Sequence, residues 1–90
     1  MDVQQAVAQA KDEIARLFSS ENLGDIGLEE VEFDDKTQVW HITIGFSRPW
    51  ERQIAALRTR SYKVVSIEEL DPSGQLGRVL SVKNRETSNA

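Results

Sequence analysis

The sequence contains no cysteine and only one histidine, His41. The absence of cysteine excludes disulfide bonds, thiolate zinc sites and a catalytic thiol, and a lone histidine offers little imidazole chemistry. Apolar runs are only a few residues long, so no transmembrane span is predicted. Residues 1–20 also lack the basic and apolar regions of a signal peptide, and we therefore expect a cytoplasmic protein.

The 90 residues suit a single domain, and 39% hydrophobic with 29% charged residues is the composition of a folded globular chain. The charge is unevenly distributed. Ten acids and three bases give residues 1–45 a net charge of −7, whereas five acids and eight bases give residues 46–90 a net charge of +3. Such polarity is typical of two solvated faces, and it also suits complementary association with a second copy or a charged partner.

The first segment has the period of an amphipathic helix. Apolar residues that recur at steps of three and four predict its buried stripe: Val3, Val7, Ala10, Ile14, Leu17 and Phe18. Asp2 and Gln5 have the spacing of a capping box at its start. The helix is predicted to stop within residues 21–24, where Gly24 suits a left-handed C-terminal turn.

Two alternating segments then predict an antiparallel hairpin. Val31 and Phe33 alternate with acidic residues, and the chain turns at Asp35 and Lys36. The longer second strand is predicted to bury one face, which carries Trp40, Ile42, Ile44 and Phe46.

A second hairpin is predicted near the end of the chain. Residues 62–67 are rich in strand formers, and residues 71–74 combine a proline and a glycine in a strong turn sequence. A short last strand follows at Val79, Leu80 and Val82. The intervening residues 47–60 fit either a short helix capped by Ser47 or a long loop.

These elements predict an α+β fold, with one N-terminal helix packed on a four-stranded antiparallel sheet in the order α-β-β-(short helix or loop)-β-β. Residues 1–83 would form one domain and residues 84–90 a flexible tail. In the register that we prefer, the outer face of the sheet is lined by His41, Thr43, Lys63 and Val65.

This arrangement resembles the PepSY domain and, more widely, cystatin-like folds. The residues that carry the resemblance are Tyr62, Val64, Gly74, Val79, Leu80 and Val82, with Ala6, Ala10 and Ala15 in the helix. The resemblance implies a non-catalytic module that binds or inhibits peptidases, generally outside the cytoplasm. The basic segment at 47–60 and the lack of a leader depart from that family.

Pro49 and Trp50 are similar to the proline–tryptophan loop of cystatins. The predicted topology, however, places them at the end of the sheet opposite to the two hairpin loops. The glutamine–valine–glycine loop of cystatins is also missing, because Gln38 and Val39 begin a strand. We therefore do not expect protease inhibition of the cystatin type.

Candidates for catalysis are few. The adjacent acids at 29–30, 34–35 and 68–69 point to opposite faces in an extended chain and lie near turns, where water keeps them ionised. Glycine-rich phosphate loops and serine-elbow motifs do not occur in the sequence. We predict no catalytic residue, no metal site and no cofactor, and hence a protein that is not an enzyme.

A basic and aromatic segment supplies the candidate partner-binding residues: Arg48, Trp50, Arg52, Arg58, Arg60, Tyr62 and Lys63. The predicted function is a non-catalytic protein–protein interaction module that binds a protein partner or a second copy through a sheet edge or the outer face. The alternative is a nucleic-acid-associated protein that uses residues 48–63 for phosphate contact and base stacking. The negative net charge argues against this alternative.

Overall fold

A computed structural model describes residues 1–48, 61–70 and 76–85. Helix α1 spans Val3–Leu17 and is followed by a 3-10 turn at Ser19–Glu21; the strands β1, β2, β3 and β4 span Gly24–Asp34, Val39–Ser47, Ser61–Leu70 and Leu76–Asn84. The strands pair antiparallel in the order β1-β2-β3-β4. This architecture confirms the predicted α+β fold. Within the described residues, no helix is long and apolar enough to cross a membrane.

Helix α1 begins with the predicted capping box. The Asp2 carboxylate accepts a hydrogen bond from the Gln5 N–H at 2.8 Å, and the Gln5 side chain accepts one from the Asp2 N–H at 2.8 Å. The left-handed residue after the helix is Asn22, with φ 53°, and not Gly24. Asparagine tolerates this conformation, and Gly24 is instead the first residue of β1.

The core lies between α1 and one face of the sheet, here called the core face. Its fully buried members are Ala6, Ala10, Ile14, Ile42, Ile44, Phe46, Val65 and Ile67. The buried stripe of the helix differs from the predicted one, because it includes Ala6, whereas Val3 and Leu17 are 44% and 48% exposed. These two residues occupy the first and last positions of α1.

The register between β2 and β3 decides which side chains share a face. Ile42 pairs with Val65 and Ile44 with Lys63, so Val65 and Lys63 belong to the core face. Their predicted place on the outer face was therefore wrong. Val65 is fully buried, and the Lys63 ammonium lies 5.5 Å from the centre of the Phe18 ring.

Two of the predicted loops lie wholly or partly outside the described residues. Of the segment 47–60, Ser47 is the last residue of β2, and residues 49–60, where the short helix or loop was predicted, are not described. The turn predicted at 71–74 also lies outside the described residues. Asn84, placed by the sequence in the tail, is the last residue of β4.

The turn between β1 and β2 is stabilised by Asp34. Its carboxylate accepts hydrogen bonds from the backbone N–H groups of Lys36 at 2.9 Å and Thr37 at 3.4 Å. The hydrogen bond from the Lys36 N–H lowers the pKa of Asp34 because it stabilises the ionised form.

A polar contact ties the start of the chain to the end of β3. The Met1 ammonium donates to one carboxylate oxygen of Glu69, and the Trp40 indole N–H donates to the other at 2.5 Å. The hydrogen bond from Met1, followed by that from Trp40, lowers the pKa of Glu69. Trp40 also packs against Phe33, with ring centres 4.8 Å apart, and is half-buried.

This contact predicts acid sensitivity. Because the folded pKa of Glu69 lies below its ordinary value of 4.5, its ionised form stabilises the fold above that pH, and the stabilisation is lost as the pH falls through the lowered pKa. We expect Glu69→Gln to lower the unfolding free energy at pH 7. At pH values below the lowered pKa of Glu69, the variant and the unsubstituted chain should have the same unfolding free energy. Urea unfolding measured at a series of pH values provides the test. A constant difference at every pH would contradict the role assigned to the carboxylate.

Helix α1 reaches β4 at Gly77. The Gln9 side-chain amide donates to the Gly77 carbonyl, and Gly77 has a φ of 78°. A Cβ at this position would lie 2.9 Å from Met1 Cε and closer still to the Gln9 amide oxygen. Glycine therefore provides both the left-handed conformation and the close approach. Elsewhere the helix packs mainly on β1, β2 and β3.

Candidate interaction surface on the open face of the sheet

The face of the sheet opposite to α1 is here called the open face. The described helix packs on the core face, so within the described residues the open face is built from strands alone. Three rows of residues cross it from β1 to β4. The rows are Glu30, Thr43, Val64 and Lys83; Glu32, His41, Ser66 and Ser81; and Asp34, Val39, Glu68 and Arg78.

The charges on these rows change sign from one edge of the sheet to the other. Every charged residue of β1 is acidic, and every charged residue of β4 is basic. Neighbouring strands lie ~4.8 Å apart, which separates the two edges by about 14 Å. The open face therefore has an acidic edge and a basic edge.

The charges that define these edges are available for contacts with another molecule. Glu30, Glu32 and Lys83 form no ion pair with any other described residue. Arg78 differs, because its guanidinium pairs with the Glu68 carboxylate at 2.9 Å. The row from Glu30 to Lys83 is thus the one with an accessible acid at one end and an accessible base at the other.

The centre of the open face is built from short side chains. Thr43 is 3% exposed, and Gly45, its neighbour two positions along β2, is buried. His41 Nδ1 lies 3.0 Å from Ser66 Oγ, which holds the imidazole between β2 and β3. In the described part of the chain, no group of three or more histidine or acidic side chains is placed to hold a metal ion.

Of the predicted partner-binding residues that the structure describes, Tyr62 lies on the open face. It pairs with Gly45 on β2, and the Arg85 guanidinium lies 5.8 Å from the centre of its ring. Lys63, the next residue, points to the core face. Tyr62 and Lys63 therefore do not contribute to one common surface.

Arg48 is the third predicted partner-binding residue that the structure describes. Its guanidinium pairs with the Glu21 carboxylate at 3.1 Å and lies 5.7 Å from the centre of the Phe46 ring. Arg48 therefore contacts the 3-10 turn that follows α1. The other predicted residues, Trp50, Arg52, Arg58 and Arg60, lie outside the described residues.

Sequence reasoning recognised the charge polarity of the chain but did not assign Glu30, Glu32 and Lys83 to one surface. A signal for these residues is present in the sequence. Glu30 and Glu32 alternate with Val31 and Phe33, and Lys83 follows Val82, so each charge is expected on the face opposite to the apolar residues.

No family model matches this chain, and no curated protein or solved structure matches it. The resemblance to PepSY domains therefore stays a prediction.

Proposed function

We propose that this protein is a non-catalytic protein–protein interaction module that forms a homodimer through its open face. The observation that carries the proposal is the row that begins with Glu30 on β1 and ends with Lys83 on β4. A surface with opposite charges at its two edges is complementary to a rotated copy of itself.

The symmetry of such a dimer follows from the strand order. A two-fold axis that runs parallel to the strands, midway between two open faces, brings each row over the same row in reverse order. Glu30 of one chain then faces Lys83 of the second copy, and the same contact forms at the opposite edge. Both charged edges are used, so the assembly closes at two chains.

The centre of the open face suits close packing of two sheets. In the same arrangement Thr43 faces Val64 of the second copy, and Gly45 faces Tyr62. Stacked sheets pack ~10 Å apart when the intervening side chains interdigitate. Short residues at the centre permit this spacing.

The size of the face predicts a reversible dimer. Four strands at ~4.8 Å and about seven residues at ~3.3 Å give a contact of roughly 19 by 23 Å. Their product is about 440 Å², which is roughly half of the ~800 Å² that a stable interface buries on each partner. We therefore expect a weak, reversible dimer.

The experiment is sedimentation velocity over a range of concentrations. We expect a monomer–dimer equilibrium for the unsubstituted chain and a monomer for Val64→Arg, because the substitution places a charge at the centre of the interface. The matched control is Val3→Arg, since Val3 is 44% exposed and lies on the helix layer; this variant should dimerise normally. A chain that is monomeric at all concentrations, or a dimeric Val64→Arg variant, would overturn the proposal.

The nucleic-acid alternative stays a prediction. It depends mainly on Trp50, Arg52, Arg58 and Arg60, which are not described. The described members of that cluster do not support it, because Arg48 pairs with Glu21 and because Tyr62 and Lys63 point to opposite faces.

A further inference from the structure

We propose a second interaction surface at β4, whose free edge accepts an extended segment of another protein in which acidic and apolar side chains alternate. This surface is the backbone edge of β4, and it shares Lys83 with the open face. The proposal goes beyond the homodimer and does not depend on it.

The backbone of β4 is available for such a contact. Within the described sheet β4 pairs with β3 alone, so it is an edge strand. Edge strands present N–H and C=O groups that pair with an added strand. The stretch from Ser81 to Asn84 pairs in unbroken register with β3 and is thus a regular template.

The other edge of the sheet, β1, is irregular in its first half. The pairing of β1 with β2 shifts register twice, between Gly24 and Gly27 and between Leu28 and Glu30. Asp25, in the same stretch, has a φ of 52°. The pairing of β4 with β3 also shifts once, between Ser66 and Ile67, so irregular backbone protects part of each edge from strand addition. The charges decide between the two edges, because those of β1 are acidic and those of β4 are basic, and an acidic segment is therefore assigned to β4.

The side chains of β4 define the chemistry of the partner. Lys83 lies on the open face, and Arg85 follows two positions later, so one side of the edge is basic. Val79 and Val82 lie on the other side and are partly buried at the margin of the core. Because α1 packs mainly on β1, β2 and β3, an added strand would extend the core over these valines. The side chains of the added strand that point to the opposite side would lie beside Lys83 and Arg85, so carboxylates are favoured at those positions.

A segment of this chain has the required pattern and provides a probe. Residues 29–35 read Glu-Glu-Val-Glu-Phe-Asp-Asp, with acids alternating with two apolar residues. In the folded protein this segment is part of β1 and is paired with β2. If it also paired with β4 of another copy, the assembly would grow without closing. For this reason we assign the β4 edge to a segment of a different protein.

The test is a fluorescence polarisation titration of the full chain into a labelled peptide with the sequence of residues 29–35. The control peptide has lysine in place of every acid and keeps the valine and phenylalanine. We expect saturable binding of the acidic peptide and at least tenfold weaker binding of the control. Lys83→Glu should weaken binding of the acidic peptide at least tenfold, and Lys36→Glu, in the turn between β1 and β2, should change it less than twofold.

Hydrogen–deuterium exchange locates the bound peptide and separates this proposal from the homodimer. We expect the peptide to slow exchange of amides in β4 and to leave those of β1 unchanged, whether or not the chain dimerises. Equal binding of the two peptides, no binding, or protection confined to other strands would overturn the proposal. Growth of polymers that the peptide inhibits would also overturn it, because a second copy would then be the occupant of the edge.

Discussion

Replacing Phe46 by alanine is expected to lower the unfolding free energy by ~3–5 kcal/mol. Phe46 is fully buried on the core face, and it is the largest of the fully buried side chains among the described residues. Its ring lies 5.9 Å from that of Phe18, centre to centre, at the end of the helix. Truncation therefore removes apolar contacts from both layers and leaves a cavity between them.

So large a loss is close to the whole stability of a small domain. At ~0.05–0.15 kcal/mol per residue, a chain of 90 residues has an unfolding free energy of about 5–13 kcal/mol. Urea unfolding monitored by tryptophan fluorescence and circular dichroism measures the change. Phe46→Leu, which keeps most of the apolar volume, provides a variant that remains folded if Phe46→Ala does not.

The matched control is Phe33→Ala, since Phe33 is half-buried on the edge strand β1. We expect its cost to be at least about 1 kcal/mol smaller than that of Phe46→Ala, because the cavity would open to solvent. An equal or larger cost at Phe33 would show that the core is centred on β1, in contradiction to the described fold.

The helix and the order of the elements along the chain could be predicted because each element has a local signal in the sequence. The capping box depends on Asp2 and Gln5, which lie three residues apart, and the burial of Ile42, Ile44 and Phe46 follows from alternation within one strand. Such signals do not require knowledge of what the element packs against. They were sufficient for the fold class.

The first half of β1 could not be predicted from alternation. Gly24 and Gly27 interrupt the apolar pattern, and the register shifts on both sides of Leu28 change which residues face the core. A strand with two irregularities has no continuous period of two. The prediction therefore recognised only the regular part around Val31 and Phe33.

The pairing of β2 with β3 could not be predicted for a different reason. It joins Ile44 to Lys63 across a connection whose conformation the sequence left open, and a shift of one residue reverses the faces. The preferred register therefore placed Lys63 and Val65 on the wrong face. The row from Glu30 to Lys83 depends on the same long-range pairing, which explains why it was not predicted.

This row predicts the second large effect, which is on assembly. Glu30→Lys places a lysine opposite Lys83 of the second copy, and Lys83→Glu places a glutamate opposite Glu30. An exposed ion pair contributes ~0.2–1 kcal/mol, and a like-charge pair is unfavourable by a similar amount. With two contacts in each dimer, either variant should dimerise at least roughly fourfold more weakly than the unsubstituted chain.

A mixture of these two variants tests the open-face dimer most directly. One chain then has lysine at both positions and the other has glutamate at both, so the heterodimer regains two opposite-charge contacts. Within one chain residues 30 and 83 lie at opposite edges of the sheet, so recovery requires contact between chains. We expect sedimentation velocity of the equimolar mixture to show heterodimers at concentrations where each variant alone is monomeric. Two variants that stay monomeric when mixed, or that dimerise alone as well as the unsubstituted chain, would contradict the account.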